Sequence, residues 1–518
     1  MGSDVSRRAF LASWLAAMGG TALAESPLTA LRPRARPGGD DPDEAPALEE
    51  ASGGPDRPGE GPRARPDFER MVADANLGGV VGFAVAEART GRMRAARMAD
   101  VPLPPASTAK ALTALYGLER LGPDHRFRTR VLRTGPMRED GIVEGDLILA
   151  GGGDPLLDTA TFVRMARDLR AAGVTGVTGR FLVWGGALTR TAEIAPEQDD
   201  HLGYNPAVSG LNLNFNRVYF VWERAGSGYD VLLDARQGDV RPAVSMARMT
   251  VVDRSLPVYT YEDRGGMDVW TVARGRLGGS GSRWLPVKRP EAYAADVFRT
   301  LAREAGVTLP LGEVSRTAPP SDAAEVLVHE SAPLEDIIRG MLLYSTNLTA
   351  EVVGVSASAA GNRPVPETLR ASAAQMNLWL GVQSGAEAGL VDHSGLSDAS
   401  RISAAEFVEA LVAAGPNSAL RPLLKDIPLT DANGEALRFA RGEVEAKTGT
   451  LNFVSALAGY MRTVEGDDLV FAILCANLER RAVGLERGDE IPEGARPWNR
   501  RARRLQQRLL QHWGLMGV

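Results

Sequence analysis

The chain has one cysteine, Cys475, in 518 residues. That excludes an intrachain disulfide and any zinc or iron–sulfur site built from cysteines. It also has little lysine. Among 59 basic residues only Lys110, Lys288, Lys425 and Lys447 are lysine, and the rest are arginine. Histidine is scarce as well, at five residues. There is no H-E-x-x-H metalloprotease pattern, no G-x-S-x-G elbow and no glycine-rich loop ending in Gly-Lys, so neither metal nor nucleotide cofactor is expected. A basic excess is missing, since the formal charge is −6, and general nucleic-acid binding would need cations against phosphate. Long apolar runs are missing too. The longest near the start, Phe10–Leu23, falls short of the roughly 20 residues that span a bilayer. What is present, 44% hydrophobic and 24% charged residues, suits a globular core.

The first 24 residues read as an export signal. Arg7 and Arg8 precede the apolar run, and Ala22-Leu23-Ala24 is a small-x-small processing site. The paired arginines in Ser-Arg-Arg-Ala-Phe-Leu match a twin-arginine signal, so a periplasmic location without a stable membrane anchor is expected. Residues 25–65 are rich in Pro, Gly and charge and nearly free of aromatics, so they read as a disordered linker.

From Val80 two strand-like segments, VVGFAVAEA and MRAARMA, flank a turn. Prolines 104 and 105 then stop before Ser107, and Ala111, Leu112, Leu115, Leu118 and Leu121 follow at helical spacing. Ser107 is therefore placed at a helix N-terminus with Lys110 one turn on. Residues 127–321 read as a mostly β insertion with one helix, Asp158–Ala172. Past 322, helices are expected on both sides of Ser345, near Thr368–Leu380 and over ISAAEFVEALVAAG. VEAKTGTLNFVSALAGYM and DLVFAILCANL read as neighbouring antiparallel strands. A tail helix follows, with Trp498, Ala502, Leu505, Leu509 and Trp513 on one stripe that packs on the sheet. The domain reading is thus 66–126 with 322–518 as one body and 127–321 as an insertion.

Two of the four lysines sit in short motifs. Ser107-Thr108-Ala109-Lys110 is S-x-x-K and Lys447-Thr448-Gly449 is K-T-G, with Ser345-Thr346-Asn347, an S-x-N, between them. Each alone is weak, but the three in this order are far from chance. The residue types make chemical sense. A serine hydroxyl attacks only when a base takes its proton. A buried lysine loses its own proton readily and becomes such a base. Arginine, with a pKa above about 12, does not. Lys447 and Thr448 on a strand suit a substrate carboxylate, and Gly449 gives a substrate backbone room to approach. Ser345 is placed to relay a proton to a leaving amine, and Asn347 to hold Lys110 and a substrate amide.

The three motifs resemble those of the penicillin-recognising serine acyltransferases. The 238 positions from Ser107 to Ser345 exceed what a β-lactamase needs. They make the chain similar to the low-molecular-weight class C penicillin-binding proteins, which are D-alanyl-D-alanine carboxypeptidases and endopeptidases. GDLILAGGGDPLL, GYNPAVSGLNLNFN, VDHSGLSDASRIS and AKTGTLNFVSALAGYM look like segments of that family. The resemblance implies an α/β (α+β) β-lactamase/transpeptidase-like domain, an antiparallel sheet flanked by helices, with the mostly β insertion between the first and second motifs. It implies Ser107 as acylated nucleophile, Lys110 as its base, Ser345, Asn347 and Lys447 as further catalytic residues, and Thr448, Gly449 and Thr450 as substrate-binding. The oxyanion hole would be the N–H groups of Ser107 and Thr450. Peptidoglycan stem peptides are the implied substrate, and β-lactam antibiotics the covalent inhibitors. Thr346 departs from the aspartate common at that place. The absence of E-x-x-L-N, used for deacylation in class A β-lactamases, implies slow release of bound penicillin. A β-lactamase or esterase on the same fold is the nearest alternative, and a non-catalytic peptidoglycan-binding protein is the alternative of another class.

Overall fold

A computed structural model describes residues 68–515 except 362, 432–434, 438–441 and 488–489. The expected signal segment and the linker lie outside the described residues.

The site rests on a six-stranded antiparallel sheet. Its order is Lys425–Asp426, Glu443–Leu451, Val454–Arg462, Asp468–Ala476, Val80–Glu87 and Met93–Arg97. The strand Val80–Glu87 pairs along its whole length with Asp468–Ala476, so the two ends of the folded chain meet in mid-sheet. The central strands are buried and almost wholly apolar apart from their ends because both faces are covered. On one face Phe83, Met461, Phe471 and Ile473 pack against Trp498, Leu505, Leu509 and Trp513 of the tail helix Ala495–Trp513. The five stripe residues of that helix are all essentially inaccessible, which is the packed arrangement the periodicity predicts. Helix Ala404–Ala414 lies against the other face, and Ala109–Leu121, Asn347–Ala359 and Leu369–Ser384 pack beyond it.

VEAKTGTLNFVSALAGYM is a hairpin rather than one strand. Glu443–Leu451 turns through Asn452 and Phe453 (φ 58°) into Val454–Arg462, with Lys447 opposite Ala458 and Gly449 opposite Ala456. The sequence-based reading missed the turn because it lacks a glycine at the left-handed position; the buried Phe453 occupies it.

Between the first and second motifs lies a separate apolar core. Its five-stranded sheet runs Gly312–Val314, Phe181–Trp184, Leu147–Gly151, Arg128–Arg133 and Ala324–Glu330. Two three-stranded sheets accompany it. Helix Thr159–Ala171 is capped by Asp158, whose carboxylate accepts from the Thr161 N–H. A second helix, Pro290–Glu304, was not expected. It opens on Pro290, and proline is tolerated in a helix's first turn, where its missing N–H has no partner to lose. Tyr293, Ala294, Val297, Phe298 and Leu301 are the face it buries.

Candidate active site

Ser107 lies in the 3-10 turn Ala106–Thr108 that leads into helix Ala109–Leu121. Ala106 has φ 47°, a conformation that costs a non-glycine residue about 1–2 kcal/mol. Packing holds it there. Gly395, itself at φ 71°, lies so close that a Cβ on it would fall 1.8 Å from the Ala106 carbonyl oxygen. On the other side is the K-T-G strand. A Cβ on Gly449 would fall 2.8 Å from Pro105 O and 3.0 Å from Ser107 N. Here the structure departs from the sequence-based expectation: the space that Gly449 leaves is filled by the protein's own serine turn. Thr448 and Thr450, on either side of it, are exposed.

Lys110, one turn after Ser107 and the second residue of the helix, is wholly buried. Its Nζ lies 3.0 Å from Ser107 Oγ and donates to Asn347 Oδ1 (2.7 Å) and the Ser394 carbonyl (2.7 Å). Burial lowers its pKa to about 7 against the opposing charges of Asp392 and Glu351. At neutral pH a large share of Lys110 is therefore uncharged, as the base role requires.

Asn347 starts helix Asn347–Ala359 and spans two parts of the chain. Its Oδ1 accepts from Lys110, and its Nδ2 donates to the Tyr204 carbonyl (2.9 Å), which belongs to the region between the first two motifs. Ser345 sits two residues earlier, at the kink after helix Leu334–Tyr344, in a left-handed conformation (φ 60°, ψ 39°). It is partly accessible, and its hydroxyl makes no hydrogen bond to Ser107, Lys110 or Lys447 among the described residues. Lys447 is buried and donates to the Thr448 carbonyl (2.7 Å). Its pKa lies well below the usual lysine value, first through burial and then through the charge on Lys110.

The structure thus joins Ser107, Lys110 and Asn347 directly and sets Lys447 and Gly449 alongside. It also shows what sequence reasoning missed, a buried polar layer beneath Lys110. The Glu351 carboxylate accepts from the backbone N–H groups of His393 and Ser394. Asp392 accepts from the N–H groups of Gly395 and Ser397 and from Ser400 Oγ. Both carboxyls are inaccessible, and burial raises both pKa values, that of Glu351 to about 8. The available signal was a lone acid in the otherwise uncharged LTAEVVGVSASA.

An antiparallel sheet backed by helices, carrying a serine–lysine pair at a helix start and a K-T-G strand against it, defines an active-serine enzyme of the β-lactamase/transpeptidase-like fold. A family model described as D-Ala-D-Ala carboxypeptidase 3 (S13) matches residues 64–493, and the chain belongs to that family, placing it among the low-molecular-weight class C penicillin-binding proteins. It is accordingly a serine-type peptidase. The D-alanyl-D-alanine carboxypeptidase of Actinomadura sp. (strain R39) is 31% identical over 508 residues, covering 87% of this chain and 89% of that protein. A carboxypeptidase of Mycobacterium tuberculosis is 29% identical, covering 78% and 77%. Penicillin-binding protein 4 of Haemophilus influenzae shares the fold. Its crystal structure superposes with a TM-score of 0.67 at 18% identity, covering 86% of this chain and 100% of that one. The same protein complexed with a β-lactam gives 0.66.

Proposed function

We propose that the chain hydrolyses the D-Ala–D-Ala (or D-Ala–D-X) bond of peptidoglycan stem peptides through an acyl-enzyme on Ser107, and that penicillins acylate the same serine. Lys110 takes the Oγ proton as Ser107 attacks the carbonyl carbon. The N–H groups of Ser107 and Thr450 stabilise the oxyanion. The proton passes by way of Lys110 and Ser345 to the leaving D-alanine amine, and water then releases the acyl group. Lys447 and Thr448 hold the substrate's terminal carboxylate, and Asn347 holds a substrate amide. The chain acts in the periplasm, where the arginine-paired leader directs it.

The observation that carries this reading is the buried Lys110 amine 3.0 Å from a partly accessible serine hydroxyl. The test is D-alanine release from a synthetic peptide ending in D-Ala-D-Ala. Ser107→Ala should lower it by more than about 10³-fold, and retained release would place the nucleophile elsewhere. Rapid hydrolysis of nitrocefin by the native protein would instead favour a β-lactamase.

A further inference from the structure

Lys110 has three neighbours, Ser107 Oγ, Asn347 Oδ1 and the Ser394 carbonyl. A neutral amine has two N–H groups and one lone pair. Carbonyl oxygens only accept. Asn347 Oδ1 and Ser394 O, both at 2.7 Å, therefore use both N–H groups. The lone pair is left facing the Ser107 hydroxyl at 3.0 Å. The aim of the base depends on the Ser394 carbonyl staying in place.

That carbonyl belongs to a loop with no regular structure to hold it. Glu351 holds it. It lies one turn after Asn347 on the same helix, so both face Lys110. Its Oε1 accepts from the Ser394 N–H (2.9 Å) and the His393 N–H (3.2 Å), and its Oε2 also accepts from His393 (3.1 Å). Thr113 of the nucleophile helix fastens the same stretch by donating to the His393 carbonyl (2.6 Å). All these groups are inaccessible to water. Nothing but protein replaces a lost bond there, so removing the acceptor strands two buried donors.

We propose that Glu351 is a positioning residue for acylation: by holding the His393–Ser394 backbone it fixes the second acceptor of the Lys110 amine and so aims the lone pair at Ser107. The step it serves moves the Ser107 Oγ proton to Lys110 Nζ while the Oγ–C bond forms; the C–N bond then breaks and the proton leaves on the amine. The charged and titratable groups around Glu351 are Lys110 from the nucleophile helix and Asp392 and His393 from the loop, with Lys447 beyond Lys110. Burial and the charge of Asp392 raise the pKa of the Glu351 carboxyl, and its two oxygens act only as acceptors of backbone N–H groups. An amide oxygen can accept those same N–H groups.

The proposal rests on the Ser107–Lys110 reading, and the experiment separates the two. The full chain is acylated with a fluorescent penicillin, the rate constant and the half-saturating concentration are measured separately, and the adduct is mapped by peptide mass spectrometry. Glu351→Leu should acylate at least about 100-fold more slowly at saturation, with half-saturation unchanged and a full adduct on Ser107 at completion. Glu351→Gln should return the rate to within about 5-fold of the native protein, since one amide oxygen can accept both N–H groups. A native rate in Glu351→Leu would overturn the proposal. So would a Glu351→Gln protein as slow as the leucine variant, or slow labelling traced only to a smaller labelled fraction. If Glu351→Leu does not fold, Thr113→Val decides: it removes the tie on the His393 carbonyl and should slow acylation about 5-fold, and an unchanged rate would count against the proposal. A native adduct away from Ser107 would overturn the site reading instead.

Discussion

Lys110 is the residue on which the chemistry turns. It is an inaccessible lysine whose pKa burial lowers to about 7, with three polar neighbours in place. Two consequences follow. Lys110→Arg keeps the charge but leaves no group able to take the serine proton, so penicillin acylation should fall by about 10²–10⁴-fold; stopped-flow labelling checks this, and retained turnover would remove Lys110 as base. The native acylation rate should also rise with pH through about 7, because the lowered pKa leaves the neutral, reactive amine dominant above that value and the ammonium below it. A flat profile from pH 5.5 to 8.5 would contradict this. Ser107, Lys110, Asn347 and Lys447 were legible in the sequence because their types and spacing carry the chemistry. Glu351 was not. It acts through the backbone of residues 393 and 394, and no side-chain motif records a bond to a peptide N–H.

At the scale of elements, the site forms where a strand, a turn and a loop press on one another. Gly449 and Gly395 are the contacts that permit it. Gly449→Ala would put a methyl group against Pro105 O and Ser107 N at 2.8 and 3.0 Å, both backbone atoms that cannot swing aside. Acylation should fall at least about tenfold and stability by about 1–3 kcal/mol, the usual cost of overpacking. Kinetics and thermal unfolding together check both, and a variant matching the native protein in each would show that strand and turn are not in contact. Periodicity predicted the amphipathic elements well, the tail helix above all, because a single apolar stripe has one solution on a sheet face. It failed at Phe453, where packing overrides turn chemistry, and over Pro290–Glu304, a helix that opens on a proline.

At the scale of the molecule, the region between the first and second motifs takes part in the site. The Tyr204 carbonyl accepts from Asn347, and Glu197 accepts from Ser397 Oγ and the Asp398 N–H, bonds across 143, 200 and 201 residues of chain. Such ties were invisible in the sequence, since nothing local marks which loop returns to which motif. The family resemblance made the overall plan legible, and only coordinates reveal these bonds. All of it serves one claim, that three distant motifs converge to make a single serine reactive. The most direct measurement is to incubate the purified protein with penicillin, digest it, and locate the adduct by mass spectrometry. One penicilloyl group on Ser107, absent from Ser107→Ala and nearly absent from Lys110→Arg, is the predicted result. An adduct on Ser345 or any other residue, or none under conditions that label a known penicillin-binding protein, would contradict it.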